Sequence, residues 1–392
     1  MGWPAVPLGE FLVQSENRVE PKPDKTYKQV TARLWGRGLK LRGRILGSRI
    51  AASRQVQVRE GQFLLSRIDA RNGAFGLVPA DLDGALVSSD FPAFDVDETR
   101  ADPRYLAWYS KTDGFVDLCR RASEGSTNRV RLREGRFLAM EVPLPPLGEQ
   151  RWIVDRLDRA TDLVERRRRA MAASERDIAA LLRKAFNEIT EGADHLPMAK
   201  VAPLVRRPVD VQPDESYPEL GVRSFGRGTF HKPALEGVAV GSKKLYRIEP
   251  QDLVFNIVFA WEGAVAIAQA KDEGRVGSHR FLTCVPDPEI ATVDFLLYFL
   301  LTPEGLRSLG EASPGGAGRN RTLGLKKLAA IEVPVPPIEK QHWFDGLQAK
   351  VRALRRTHVK TTADLDSLVP AILHEMFSGD SGRSAVLPSM EF

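Results

Sequence analysis

The 392-residue sequence predicts an α+β protein built twice: two similar α/β-mixed globular domains separated by two long antiparallel helices, paired as a coiled coil, in a pseudo-two-fold internal repeat. Three observations predict it. PLPPLGEQRW at 143–152 recurs as PVPPIEKQHW at 334–343, so Trp152 and Trp343 lie 191 positions apart. The segments upstream match one another at nearly the same offset. Each motif then opens into a stretch with helical apolar spacing. A self-match of this length decides the architecture before any local assignment does.

The first globular domain is expected over 1–147. Short apolar runs broken by Gly, Pro and Asp, such as FLLSRI and FGLVPA, predict strands, and YLAWYSKTDGFVDLCRRA predicts helix. The second domain, 193–338, repeats it. YKQVTARLWGRG (27–38) matches YPELGVRSFGRG (217–228), and GQFLLSRIDARNGAFGL (61–77) matches QDLVFNIVFAWEGAVAI (251–267). GALVSSDF meets GRVGSHRF, GSTNRVRL meets GGAGRNRTLGL, and DFLLYFLLTPEGLRSLGEA supplies the helical part.

The first long helix is expected over 148–192. From Glu149 to Glu191 there is no Pro or Gly, and Ile153, Leu157, Ala160, Val164, Met171, Ile178, Leu181 and Ala185 form a heptad-like stripe with Arg167 and Ser174 as exceptions. The second, over 339–378, carries Phe344, Leu347, Val351, Leu354, Leu365, Leu368 and Ile372, with His358 and Thr361 at seam positions. Gly346 and Pro370 weaken it, and Pro370 is expected to kink or break its last turns. A tail, 379–392, follows. Roughly 40 helical residues span about 60 Å, and such a rod needs a partner for its stripe. The other rod is the nearest one. The paired prolines make stiff junctions between each globular domain and its helix.

Composition narrows the functional classes. Hydrophobic residues make up 43% and charged residues 28%, which excludes wholesale disorder. No apolar run reaches the ~18 residues of a bilayer span. The start, MGWPAVPLGEFL, lacks the basic and apolar regions of a signal peptide. The two cysteines, Cys119 and Cys284, have no neighbour at disulfide or metal spacing, which fits a reducing cytoplasm. The net charge of +6 suits a polyanionic partner without establishing one. There is no phosphate-loop motif, no Asn/Asp-Pro-Pro-Tyr/Phe segment, no dinucleotide fingerprint in GRGLKLRG, and no zinc-like spacing among the six histidines.

The order of globular domain, Pro-Pro-Leu/Ile-x-x-Gln motif and long helix, written twice, resembles the specificity subunit of type I restriction–modification systems. PLPPLGEQRWI and PVPPIEKQHWF look like that family's motif at the head of each helical region, and LLRKAFNEI and ILHEMFSG resemble its helix ends. Lys340 in place of Glu149, and the late Pro370, depart from the repeat. The resemblance implies two target-recognition domains that each read half of a gapped, asymmetric sequence in double-stranded DNA, with the helices setting the gap. It implies two methyltransferase subunits and restriction/translocase subunits as partners, and no catalysis or cofactor in this chain. A coiled-coil scaffold whose globular domains bind proteins, or the recognition component of another methyltransferase or restriction system, is the competing reading.

Candidate DNA contacts follow from residue chemistry. Lys and Arg bind phosphates, Arg pairs with guanine, and Asn or Gln pairs with adenine. In the first domain they are Arg33, Arg37 and Lys40, with Arg42 and Arg44 beyond them, then the loop Ser66, Arg67, Asp69, Arg71 and Asn72. The donor-rich loop Ser126, Thr127, Asn128 and Arg129 has the counterpart Arg319, Asn320 and Arg321. The second domain adds Arg223, Arg227, Lys243, Lys244, Asn256, Trp261, His279 and Arg280. Taken alone, each is equally a solvated face, a turn or, for Trp261, core. The resemblance further implies that methyltransferase subunits dock near Gln150, Trp152, Gln341 and Trp343, where a large aromatic can anchor a partner, with local packing the alternative for the tryptophans.

Overall fold

A computed structural model describes residues 3–125, 130–316 and 321–377. The chain divides into two compact units, Met1–Ala170 with Val359–Phe392, and Met171–His358. Each unit therefore holds one globular domain and a segment of both long helices.

The first unit contains two larger sheets beside two two-stranded pairs. One is antiparallel, with spatial order Leu12–Gln14, Ala93–Val96, Phe63–Leu65, Phe75–Leu77. The other runs Arg18–Val19, Gln55–Gln57, Leu86–Val87, Thr26–Ala32, Leu39–Leu46, and its Thr26–Ala32/Leu86–Val87 pair is parallel. Two helices follow, Pro103–Tyr109 and Asp113–Arg121, capped by the side chains of Asp102 and Thr112 with a proline in the first turn of the former. The second unit repeats the two sheet orders and the pair of capped helices, with the first-turn proline moved to the second helix. Its antiparallel sheet runs Leu204–Val205, Phe281–Cys284, Leu253–Asn256, Val265–Ile267. Its mixed sheet runs Pro208–Val209, Leu245–Arg247, Val276–Ser278, Ser216–Val222, Thr229–Glu236, again with one parallel pair. Its helices Val293–Leu301 and Pro303–Glu311 are capped by Thr292 and Thr302.

The first and last strands of each globular domain pair with one another, Ala5–Pro7 with Glu141–Pro143 and Asp194–Pro197 with Glu332–Val335. The prolines then release the chain into the long helices Leu147–Thr190 and Ile338–Phe377. Within each unit the helix segments run antiparallel. In the first, Ile153, Val154 and Leu157 share a core with Met376, while Arg168 pairs with Asp366 farther along. In the second, the Phe186 ring packs tilted against Phe344 at 5.7 Å and Glu175 binds Arg355. The same helix faces seal the domain cores. Phe63, Phe75, Phe94, Phe115 and Phe137 fill the first, and Leu253, Phe255, Phe295 and Phe299 fill the second together with Leu182, Phe186 and Ile189. Burial of this much aromatic and aliphatic surface is the main cohesive term in each unit.

Several sequence expectations fail here, Leu354 and Leu368 of the second stripe among them, both exposed. Leu181 is half exposed while Leu182 is buried, because a straight helix at 3.6 residues per turn drifts away from a strict heptad count. Nor does Pro370 break the second helix, which continues through it to Phe377. Beyond the proline, Leu373, Met376 and Phe377 pack into the first core, and Phe377 lies 5.4 Å from the Tyr109 ring. That packing holds the last turn despite the lost backbone hydrogen bond.

Candidate nucleic-acid interface

The glutamine of each repeated motif is an internal clasp. Gln150 is fully buried, and its Oε1 accepts from the Asp102 N–H (2.8 Å) while its Nε2 donates to the Arg100 and Pro145 carbonyls (3.0 and 2.7 Å). Gln341 repeats the pattern with the Thr292 N–H (3.0 Å) and the Ile290 and Pro336 carbonyls (3.0 and 2.8 Å). The expectation that these glutamines meet a partner is corrected: all their polar atoms are engaged within their own unit. Each ties the loop before the first capped helix to the head of a long helix. Trp152 and Trp343 behave differently. Both stand in the first helical turns with 55% and 56% of their surface exposed, and the Arg156 guanidinium lies over the Trp152 ring at 5.6 Å.

Four of the expected second-domain residues converge. Lys243, Asn256, His279 and Arg280 line one open cleft of about 880 Å³ with Lys232 and Phe281. Asn256 ends a core strand and its Oδ1 accepts from the Val258 N–H, which fixes the amide at the cleft wall. His279 and Arg280 sit exposed on the turn between two strands. The first unit builds a smaller cleft of about 250 Å³ at the equivalent place. Gln29, Arg42, Ser88 and Phe91 line it, and Glu219, Lys232, Ser278 and Phe281 occupy the corresponding positions 190 residues on. Around that shared frame the chemistry changes: Ser66, Ser89 and Asp90 stand where the second domain has Asn256, His279 and Arg280.

Other expected residues are tied up. Arg67 is ion-paired with Glu134 and only partly exposed. The Arg321 guanidinium donates to the Ser313 and Gly310 carbonyls (3.2 and 2.9 Å) and lies over the Trp261 ring at 5.1 Å. Trp261 Nε1 in turn donates to the Val258 carbonyl. Both residues brace the loop beside the cleft and neither projects from it. Arg33 and Arg223 close the hairpin turns 33–38 and 223–228 by donating to the carbonyls of Arg37 and Thr229. The exposed Arg37 and Arg227 sit on those turns, Arg227 lining a separate 460 Å³ recess. Lys40 is exposed on the strand leaving the first turn. Arg71 and Asn72 are half-buried in the turn beneath it, Asn72 Nδ2 reaching Asp69. Lys244 is exposed but does not line the cleft. Ser126, Thr127, Asn128, Arg129, Arg319 and Asn320 lie outside the described residues. Among the described residues no group of His, Cys, Asp or Glu is placed to hold a metal ion, and no helix is long and apolar enough to cross a membrane.

Sequence reasoning missed Trp35 and Phe225. They occupy the same position of the repeated Arg-x-x-Gly-Arg-Gly turn and are 71% and 67% exposed. The signal was an aromatic at that position in both copies.

The chain is thus a duplicated domain, each copy clasped through a buried glutamine to the head of a long helix, and this fold is found in solved structures of type I restriction–modification systems. The crystal structure of the HsdS subunit from Thermoanaerobacter tengcongensis matches with a TM-score of 0.61 at 22% identity, covering 97% of this chain and 97% of its own. A chain from the structure describing complex assembly and conformational transition of the type I R-M system matches with a TM-score of 0.66 at 22% identity, covering 97% of this chain and 98% of its own. No protein-family model matches the sequence, and no curated protein matches it significantly. The chain thus has the HsdS fold.

Proposed function

We propose that this protein is the sequence-specific DNA-binding subunit of a type I restriction–modification complex, reading a two-part target with its two globular domains and contributing no catalytic group. The observation that carries the proposal is the duplicated cleft. One frame, Gln29/Glu219, Arg42/Lys232, Ser88/Ser278 and Phe91/Phe281, recurs, and the polar side chains completing the lining differ: Arg49 and Gln55 in the first cleft, Lys243, Asn256, His279 and Arg280 in the second. Different hydrogen-bonding groups on one frame suit different half-sites, hence an asymmetric target. Basic groups dominate the second cleft, as phosphate and guanine contacts require. Trp152 and Trp343, exposed at matched positions on the helix heads, suit a pair of identical partner subunits, for which methyltransferase subunits are the fitting candidates, with restriction/translocase subunits joining that assembly.

Co-expression with the methyltransferase encoded beside it, followed by mapping of methylated adenines, tests this. The expected result is one gapped, two-part motif. Exchange of residues 1–142 for another first domain is expected to change one half of that motif, and Arg280→Ala to relax the other half. Absence of DNA modification by an active, assembled complex would overturn the proposal in favour of a protein-binding scaffold, and a motif altered in both halves by either change would refute independent reading.

A further inference from the structure

The two hairpin turns present an aromatic ring to solvent on a backbone that aromatic residues avoid. Trp35 and Phe225 have φ of +65° and +63°, in the left-handed region that disfavours any residue with a Cβ. Neither ring is placed there for packing, since about two-thirds or more of each stays exposed. The backbone is held there by the rest of the unit. The Trp35 and Gly36 N–H groups donate to the Asn72 and Gly73 carbonyls (2.8 and 3.0 Å), and the Phe225 and Gly226 N–H groups donate to the Glu262 and Gly263 carbonyls (2.8 and 2.9 Å). The supporting turn is fitted to this contact. Gly73 is itself left-handed, and a Cβ there would meet the Gly36 and Trp35 nitrogens at 2.7 and 3.0 Å. Strain that is over-determined by its surroundings and recurs in both copies marks a conformation kept for what it presents.

The setting identifies the occupant. Around Trp35 the turn RLWGRGLK carries Arg33, Arg37 and Lys40 and no acidic residue. Around Phe225, RSFGRGTFHK carries Arg223, Arg227 and Lys232 and no acidic residue of its own; the carboxylates packed against it are engaged, Glu262 with Ser224 (3.1 Å) and Asp272 with Thr229 and His231 (2.8 and 2.9 Å), and the Arg227 guanidinium lies 5.5 Å from the ring. A flat apolar face flanked by arginine is the pairing that nucleic acid accepts, the ring against a base or deoxyribose and the guanidinium on the neighbouring phosphate.

We propose that Trp35 and Phe225 are duplex-contacting residues, each laid against DNA beside the phosphate held by Arg37 or Arg227, so that every globular domain grips the helix at its hairpin turn as well as at its cleft. The proposal rests on the DNA-binding function above. The contact is indifferent to sequence: it supplies affinity and register, while the clefts supply discrimination.

The test uses the full chain and a labelled duplex of mixed sequence at low salt. Trp35→Gly and Phe225→Gly remove the ring and also the left-handed conflict, so both variants are expected to melt no lower than the wild type. Each is expected to weaken binding by about 5-fold to 100-fold. The slope of log affinity against log salt is expected to stay unchanged, because a stacked ring displaces no counterion, whereas Arg37→Gln should flatten that slope by about one phosphate's share. Trp35→Phe is expected to restore most of the binding. Glycine variants that bind like the wild type would overturn the proposal, as would variants whose binding falls only in step with their stability. A wild-type chain that binds no duplex would overturn the function proposed above as well.

Discussion

Replacing Gln150 by Leu tests whether the repeated motif works as a clasp. Leucine nearly preserves side-chain volume, so the change isolates polar satisfaction from packing. Three hydrogen bonds disappear together: one accepted from the Asp102 N–H and two donated to the Arg100 and Pro145 carbonyls. The partners stay behind at a site where Gln150 is fully buried. An orphaned N–H costs about 1–2 kcal/mol and an under-satisfied carbonyl about 1 kcal/mol, so the expected loss is about 3 kcal/mol. Urea unfolding, followed by far-ultraviolet circular dichroism, measures it. Gln341→Leu is expected to cost a similar amount, because its three bonds match in partner type and length. The two losses should add, since the sites share no partner. Gln150→Glu should be worse at neutral pH, with a buried carboxylate pressed on two carbonyl oxygens, and its deficit should shrink in acid as the carboxyl regains a proton to donate. A Gln150→Leu midpoint within about 0.5 kcal/mol of the wild type would refute the clasp.

Three further outcomes are expected. Leu182→Ala should cost about 2–4 kcal/mol and Leu181→Ala less than about 0.5 kcal/mol, since only the former side chain is buried; equal losses in a denaturation series would contradict the packing described. Burial pushes both thiols up, Cys284 to about 12, so neither cysteine should react with a maleimide until urea unfolds the chain, and labelling of the native protein at neutral pH would count against the burial described. Asp272 is fully buried, which alone would raise its pKa. Hydrogen bonds from the Gln269 N–H, Thr229 and His231 outweigh this and hold it below the ordinary 3.8. A lowered carboxylate stabilises the fold above its unfolded pKa and loses that contribution as pH falls through the folded one. Asp272→Asn should therefore be destabilised at neutral pH, with the gap to wild type closing in acid; a gap independent of pH would refute the assignment.

The long helices and the division into halves were legible because they depend on repetition and on proline chemistry, both written directly in the residues. The sheet order was not. Strands such as Arg18–Val19 and Leu86–Val87 have two residues each, too few to display a period, and their pairing is fixed by partners distant in sequence. The motif's glutamine was assigned to a partner surface because nothing local separates a buried amide from an exposed one; three converging backbone groups make the difference, and two of them come from a loop 48 and 50 positions away in sequence. Charge was a partial guide to the candidate site. It found Lys243, His279 and Arg280 in the cleft, yet it also selected Arg67 and Arg321, whose charges are consumed by Glu134 and by backbone carbonyls. Attention to charge passed over Trp35 and Phe225, whose backbone conformation no composition reveals.

The pairing of Asp194–Pro197 with Glu332–Val335 brings the two ends of the second globular domain side by side. Entry and exit of that domain therefore share one two-stranded stem, while its core is completed by Leu182, Phe186, Ile189 and Phe344 of the long helices. Length or sequence can therefore change in loops remote from both the stem and the shared core without moving the points where the chain enters and leaves the helices.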